Sequence, residues 1–381
     1  MSERIDLKYS TANNLLDLLK LLKEDGVPDN LHWRYIEKYQ GKKAREIGIP
    51  LSGQFELTPL CNLDCKMCYV HLNNEQFKGA RLLPGKWWKD LAFKAHSLGM
   101  MNAVLTGGEC LTYPEFDEVY MFIRNLGVKV LIKTNGVLLN KERIAFFKKF
   151  QPRGIIISLY GSTNDVYNRV TGQAVFDIVY ENLLQLKDCD LPISIALTPN
   201  EYMYDDIKNI IDLVNQLSIP LSVNAMLFPP RKETGREICD LSPEKYVRIF
   251  KSLGQEESHS IVPQNEAELK ECDITETPKV GLGCSAGKSF FDVSWNGIMS
   301  GCTNLDSLKV SLLENEFATA WELINADAIS YSLPIECNEC EFNNLCFNCT
   351  AYRQNRNDRG HCNLEVCNRT KIFVKEGYYQ S

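Results

Sequence analysis

From about residue 53 to residue 230 the chain repeats one pattern. A short β-rich apolar run is followed by a longer segment whose apolar residues recur at three and four. The runs predict strands at Gln54–Thr58, Ala103–Thr106, Lys129–Lys133, Gly154–Leu159, Ile193–Leu197 and Leu221–Leu227. The stripes between them predict helices, such as Trp88, Leu91, Ala92, Ala95 and Leu98, or Ile207, Ile210, Ile211, Val214 and Leu217. Strands with continuous apolar cores, joined by such helices, imply right-handed βαβ units and a parallel sheet. Six units are fewer than the eight of a closed TIM barrel, which predicts a partial (βα)6 barrel. An open, doubly wound sheet is the alternative that periodicity alone does not separate from it. In both, ligands belong at the carboxyl ends of the strands.

The flanks read differently. Ser10 or Thr11 is placed to cap a helix carrying Leu15, Leu16, Leu18, Leu19, Leu21 and Leu22. Leucines on so much of its circumference predict burial against the main domain. The expected divisions are an N-terminal helical extension (1–50), the partial barrel (51–230), a last helix with a linker (231–280) and a Cys-rich domain (281–381). That last segment holds eight cysteines from Cys284 onward and little periodicity. Such a segment is stapled by metal rather than by a large apolar core.

A formal net charge of −7 over 381 residues argues against a nucleic-acid partner. No apolar run approaches the roughly 20 residues that span a bilayer. Met1-Ser2-Glu3-Arg4-Ile5-Asp6 lacks the basic-then-apolar pattern of a signal peptide, so the expected location is the cytoplasm. Reducing cytosol keeps thiols free, and clustered cysteines among the fifteen then mean metal or redox chemistry. The isolated Cys189 and Cys239 read as buried packing residues.

Cys61, Cys65 and Cys68 follow the first strand directly. Three thiolates at this spacing can hold three irons of a [4Fe–4S] cluster and leave the fourth iron open for chemistry. A structural zinc site completed by His71 is the other reading of the same residues.

CxxxCxxC at this place resembles the radical S-adenosylmethionine (SAM) superfamily. The resemblance implies that the open iron binds the amino and carboxylate groups of SAM. An electron from the cluster then cleaves the sulfonium, giving methionine and a 5′-deoxyadenosyl radical. Gly107-Gly108-Glu109 ends the second strand, where the family's GGE motif lies against the SAM amino group, and glycines there let backbone approach the ligand. Ser158, closing the fourth strand, and Arg169 resemble the pair that holds SAM's carboxylate and ribose. Met67 and Tyr69 flank Cys68, where the family often places an aromatic residue near the adenine. Asn135, in Thr134-Asn135-Gly136 after the third strand, lines the same mouth, or else forms a structural turn. Cys110, next to the GGE motif, is a candidate hydrogen-atom donor, with a packing cysteine as the plainer reading. Glu56, Thr58 and Asn224 point toward the barrel or its mouth by alternation.

The later cysteines are similar to the SPASM pattern, with Cys346-x2-Cys349 one residue shorter than the family's spacing. The resemblance implies one or two auxiliary [4Fe–4S] clusters. The first would be held by Cys284, Cys302 and Cys349, the second by Cys337, Cys340, Cys346 and Cys367. Residues 285–292 offer the first no fourth cysteine, so Cys272 or Cys362 reaches in, or an iron stays open.

Proteins of this type imply oxidative maturation of a ribosomally made peptide, by thioether or carbon crosslinking or by epimerisation. Formylglycine formation in a sulfatase and small-molecule dehydrogenation in cofactor or haem biosynthesis are the alternatives. About 50 residues precede the first strand, fewer than a leader-binding winged helix needs, so a separate leader-binding protein is expected. A flavodoxin or ferredoxin would supply electrons.

Overall fold

The computed structural model describes residues 12, 14–224, 227–228, 239–255, 282, 284–305, 307–331, 340–342, 346, 349–355 and 364–377. Among them, nine strands form one sheet. These are β1 (Ser52–Glu56), β2 (Asn102–Thr106), β3 (Lys129–Thr134), β4 (Gly154–Ser158), β5 (Ile193–Leu197), β6 (Leu221–Val223), β7 (Phe290–Val293), β8 (Ile298–Ser300) and β9 (Lys309–Ser311). Their spatial order is β6-β5-β4-β3-β2-β1-β7-β8-β9. Strands one to six are parallel and stand in chain order. A doubly wound sheet would reverse that order at a switch point. No reversal occurs here, so the arrangement is the partial barrel.

The pleat explains which side is the core. Phe55, Leu105, Ile132, Ile157, Ile195 and Phe291 are fully buried against the helices. Phe55 stands 5.8 Å from Trp88 of helix Gly85–Ser97, and Phe291 packs 5.1 Å from Phe317 of helix Phe317–Ser330. The alternate positions, Gln54, Glu56, Thr106, Lys133, Ser158, Ser194 and Asp292, share the inner face by register. The strands therefore alternate rather than run continuously apolar, and the inside of the half-barrel is polar.

β7 pairs in parallel with β1, and β7 to β9 extend the sheet antiparallel. The boundary expected at residue 281 thus falls inside one sheet: the first part of the Cys-rich segment is an extension of the barrel. Gly53 shows how tightly they join, because a Cβ there would lie 2.4 Å from the Phe291 ring.

The N-terminal reading needs correction. Helix Leu15–Glu24 is capped by Asn14, whose side chain accepts the Asp17 N–H, while Ser10 and Thr11 lie outside the described residues. Its buried Leu18 and Leu22 pack with Tyr35, Ile36 and Tyr39 of helix His32–Ile47, and Leu16 is 78% exposed. The leucines therefore form a small core of their own and not a face on the main domain. Helix His32–Ile47 makes that connection: Glu37 takes both Arg153 and Lys129, and Trp321 Nε1 donates to the Gly48 carbonyl at 2.7 Å. Among the described residues no helix is long and apolar enough to cross a membrane.

Candidate active site

The loop after β1 is held from three sides at the carboxyl edge of the sheet. The Asp64 and Lys66 N–H groups donate to the carbonyls of Thr171 and Val170, the end of helix Asn164–Thr171. The Gly108 and Glu109 N–H groups donate to the carbonyls of Thr58 and Leu60, at 2.7 and 2.9 Å. Asn135 Nδ2 donates to Asn62 Oδ1 at 2.7 Å and lies 3.6 Å from Cys61 Sγ.

These contacts revise the reason for the two glycines. A Cβ on Gly107 would sit 2.4 Å from the Thr58 carbonyl oxygen, and one on Gly108 would sit 2.4 Å from that of Leu60. Gly107 also has φ +153, which L side chains rarely adopt. What approaches the glycines is the cysteine loop of their own chain.

Glu109 is revised in the same way. Its carboxylate is 1% exposed and accepts from the Leu111 N–H, the Thr134 hydroxyl and the Asn135 N–H, the last at 2.7 Å. Burial pushes its pKa up, and those donors pull it back. Its side chain thus ties the end of β2 to the end of β3, which also fixes Asn135 beside Cys61.

Within the loop, Cys65 is buried while Cys61 and Cys68 are half-buried. The Leu63 N–H points at Cys61 Sγ at 3.4 Å, and the His71 N–H at Cys68 Sγ at 3.2 Å. Burial pushes the Cys61 thiol up to about 12, with charge at Glu109 and Cys68 adding to it. Tyr160 is raised well above its ordinary value by burial and by charge at all three cysteines, so the three thiols surround one neighbourhood. Such a donor set lacks only positive charge, which irons would supply. Among the described residues no three His, Cys, Asp or Glu side chains are gathered to chelate a single metal ion. A cluster needs no such point, since each thiolate holds a different iron. His71, the fourth ligand of the zinc reading, turns its Nδ1 toward Asp64 at 3.4 Å.

Ser158 closes β4 and Tyr160 follows two residues later, both half-buried. Arg169 lies on the exposed side of its helix, with Nε donating to the Tyr202 carbonyl at 2.7 Å. Asn224, after β6, donates to Thr198. Two expected site residues are enclosed by the core. Met67, 6% exposed, belongs to the main apolar core. Cys110 is fully buried, its thiol donates to the Lys133 carbonyl at 3.3 Å, and burial raises its pKa well above the ordinary range. A thiol enclosed in this way is a packing group, not an open hydrogen donor. Tyr69 is half-buried beside Cys68. Lys133, exposed on the inner face and 3.4 Å from Gln54, was missed; a lysine among apolar strand residues was the available signal.

The auxiliary cysteines also converge. Cys302 and Cys349 pack against the same small apolar group of Leu282, Ala286, Leu305, Ala328 and Ala351. Burial and charge at Cys349, Asp292 and Cys284 push the Cys302 thiol up to about 12. Of the first auxiliary set, Cys302 and Cys349 thus share one apolar group. Cys346 and Cys349 share the contact with Tyr352 and Val366, and Cys367 follows in helix Leu364–Lys375. Cys340 is half-buried, and Cys337, Cys362 and Cys272 lie outside the described residues.

Comparison with known proteins agrees with this geometry. Residues 55–214 match the Radical SAM superfamily. That match, with the relatives and solved structures that follow, supports a radical SAM protein of the SPASM type with a Cys-rich C-terminal region. It is 24% identical over 320 residues to the AdoMet-dependent heme synthase of Methanosarcina barkeri, covering 78% of this chain and 90% of that one. It is 24% identical over 342 residues to the antilisterial bacteriocin subtilosin biosynthesis protein AlbA of Bacillus subtilis, covering 86% and 73%. The structure of Streptococcus suis SuiB bound to S-adenosylmethionine superposes with a TM-score of 0.69 at 16% identity, over 96% of this chain and 92% of that one. The cofactors of this family are a [4Fe–4S] cluster and SAM, with auxiliary clusters in its SPASM members.

Proposed function

We propose that this chain is a cytoplasmic radical SAM maturase that oxidatively modifies a peptide, installing a thioether or carbon crosslink. The observation that carries the reading is the pairing of two cysteine sets on one sheet. Cys61, Cys65 and Cys68 follow the carboxyl end of β1, while Cys284 and Cys302 flank the β7–β8 pair, of which β7 lies beside β1. Cys61, Cys65 and Cys68 would hold the first cluster, which would supply the electron for reductive cleavage of SAM and so the radical chemistry of the site.

The chain's own residues set the stage for this step. Asn135 and the Leu63 and His71 N–H groups point donors at Cys61 and Cys68, which favours the thiolates that iron requires. Ser158, Asn135 and Arg169 are the side chains that would meet SAM's polar groups. Arg169, anchored by Nε alone among the described residues, presents the rest of its guanidinium to a carboxylate. The polar inner face, with Glu56, Lys133 and Asp292, is suited to polar peptide groups. SuiB has also been solved with its precursor peptide SuiA, and AlbA is named for bacteriocin biosynthesis, which supports a peptide substrate.

A separate leader-binding protein and a flavodoxin or ferredoxin reductant complete the proposal. The heme synthase relative favours a second reading, dehydrogenation in tetrapyrrole synthesis. Single-turnover assays with candidate precursor peptides and with iron-coproporphyrin separate the two. A peptide that loses two hydrogens by mass supports the first reading, and porphyrin decarboxylation with inert peptides overturns it.

A further inference from the structure

The first auxiliary set has three cysteines and no cysteine between residues 285 and 292. β7 supplies a different donor at the right place. Asp292 stands on the inner face of β7, 1% exposed, and pairs directly with Ser300 of β8. Cys302 follows Ser300 by two residues, just past the end of β8. That leaves Cys302 two residues from the Asp292–Ser300 pair. Gly301 between them faces the other way, where a Cβ would lie 3.0 Å from the Gly287 nitrogen, so the turn after Cys284 is pressed against the same strand end. Three thiols, Cys284, Cys302 and Cys349, and the Asp292 carboxylate therefore lie about one end of the β7–β8 pair.

The geometry points to Asp292 as the fourth protein ligand of the first auxiliary cluster, its carboxylate completing the set of Cys284, Cys302 and Cys349. This rests on the reading that the three cysteines hold a cluster. A carboxylate ligand is steadied by hydrogen bonds from behind, and Gln54 Nε2 donates to Asp292 Oδ2 at 3.2 Å while its Oε1 lies 3.4 Å from Lys133 Nζ. The Lys133–Gln54–Asp292 chain also brings a positive charge toward a site with four negative ligands. Closed in this way, the cluster would exchange electrons without binding substrate directly.

The test uses the full chain with Cys61, Cys65 and Cys68 all changed to Ala, so that only auxiliary clusters contribute. Iron content and the EPR spectrum of the reduced protein are compared with those after Cys302→Ala, Asp292→Asn, Asp292→Cys, Cys272→Ala and Cys362→Ala, with far-UV CD as the check on folding. Loss of about four irons on Cys302→Ala establishes the cluster, and no loss there removes the reading on which the proposal rests. Asp292→Asn is expected to shift the EPR signal and make it responsive to added 2-mercaptoethanol, a thiol that enters a vacated position. Asp292→Cys is expected to restore the iron content with a new set of g-values. An Asp292→Asn spectrum identical to the parent's overturns the proposal, as does a shift produced by Cys272→Ala or Cys362→Ala alone.

Discussion

Replacing Glu109 tests whether its carboxylate is a strut of the fold or a contact to the cofactor. Glu109→Ala removes the acceptor for two buried backbone N–H groups, those of Leu111 and Asn135, and for the Thr134 hydroxyl. The hydroxyl can rotate to another partner, whereas the two N–H groups cannot. At about 1–3 kcal/mol for each orphaned donor, the loss is roughly 2–6 kcal/mol. Glu109→Gln keeps one acceptor oxygen but turns an NH2 toward a donor, which costs about half as much, roughly 1–3 kcal/mol. Anaerobic urea unfolding followed by the five tryptophans should show a lower midpoint at unchanged slope, in the order Ala below Gln below parent. Iron bound at Cys61, Cys65 and Cys68 should fall in the same order, because Asn135 loses its anchor. Variants that unfold at the parent's midpoint yet bind SAM more weakly would refute the strut and restore Glu109 as a ligand contact.

Gly108→Ala forces a Cβ to 2.4 Å from the Leu60 carbonyl oxygen and should release iron from the first site at little cost to the distant Cys302 set, read by EPR of the two clusters. Cys110→Ala should retain SAM cleavage and lose about 1–2 kcal/mol of stability from the small void it leaves in the core. Glu37 is held at a pKa of about 2, first by the Arg153 hydrogen bond and then by Lys129, against an ordinary value near 4.5. A depressed carboxylate stabilises the fold above its unfolded value and loses that contribution as pH falls from about 4.5 toward 2. Glu37→Gln should therefore flatten the fall in urea midpoint between pH 5 and pH 3, an effect on the order of 1 kcal/mol for a partly exposed pair.

The six parallel strands were legible because each apolar run was short and bounded by turns, and predicted and observed positions differ by a few residues at most in β1 to β5. The polar inner face was also present as alternation, in Gln54-Phe55-Glu56 and Ile132-Lys133-Thr134, but a rule for fully buried parallel strands masks it. β7 to β9 were not legible. Each is three or four residues long; β7 pairs with β1 across more than 230 positions, and β8 and β9 pair outward from it in turn. The three cysteines after β1 were readable from spacing alone. What the residues beside them do was less so: Gly107, Gly108 and Glu109 form a motif that a ligand was expected to explain, and the neighbouring loop explains much of it. The grouping of Cys284, Cys302 and Cys349 came from resemblance, and Cys302 and Cys349 pack around Ala286 and Ala351.

The central claim is that the loop after β1 holds a cluster that cleaves SAM. The most direct measurement is anaerobic reconstitution with iron and sulfide, followed by SAM and a strong reductant, with 5′-deoxyadenosine as the product assayed. About twelve irons per chain, with deoxyadenosine formed by the parent and abolished by Cys65→Ala, is the predicted result for three [4Fe–4S] clusters. Zinc in place of iron, or deoxyadenosine formed equally well by Cys65→Ala, would contradict it.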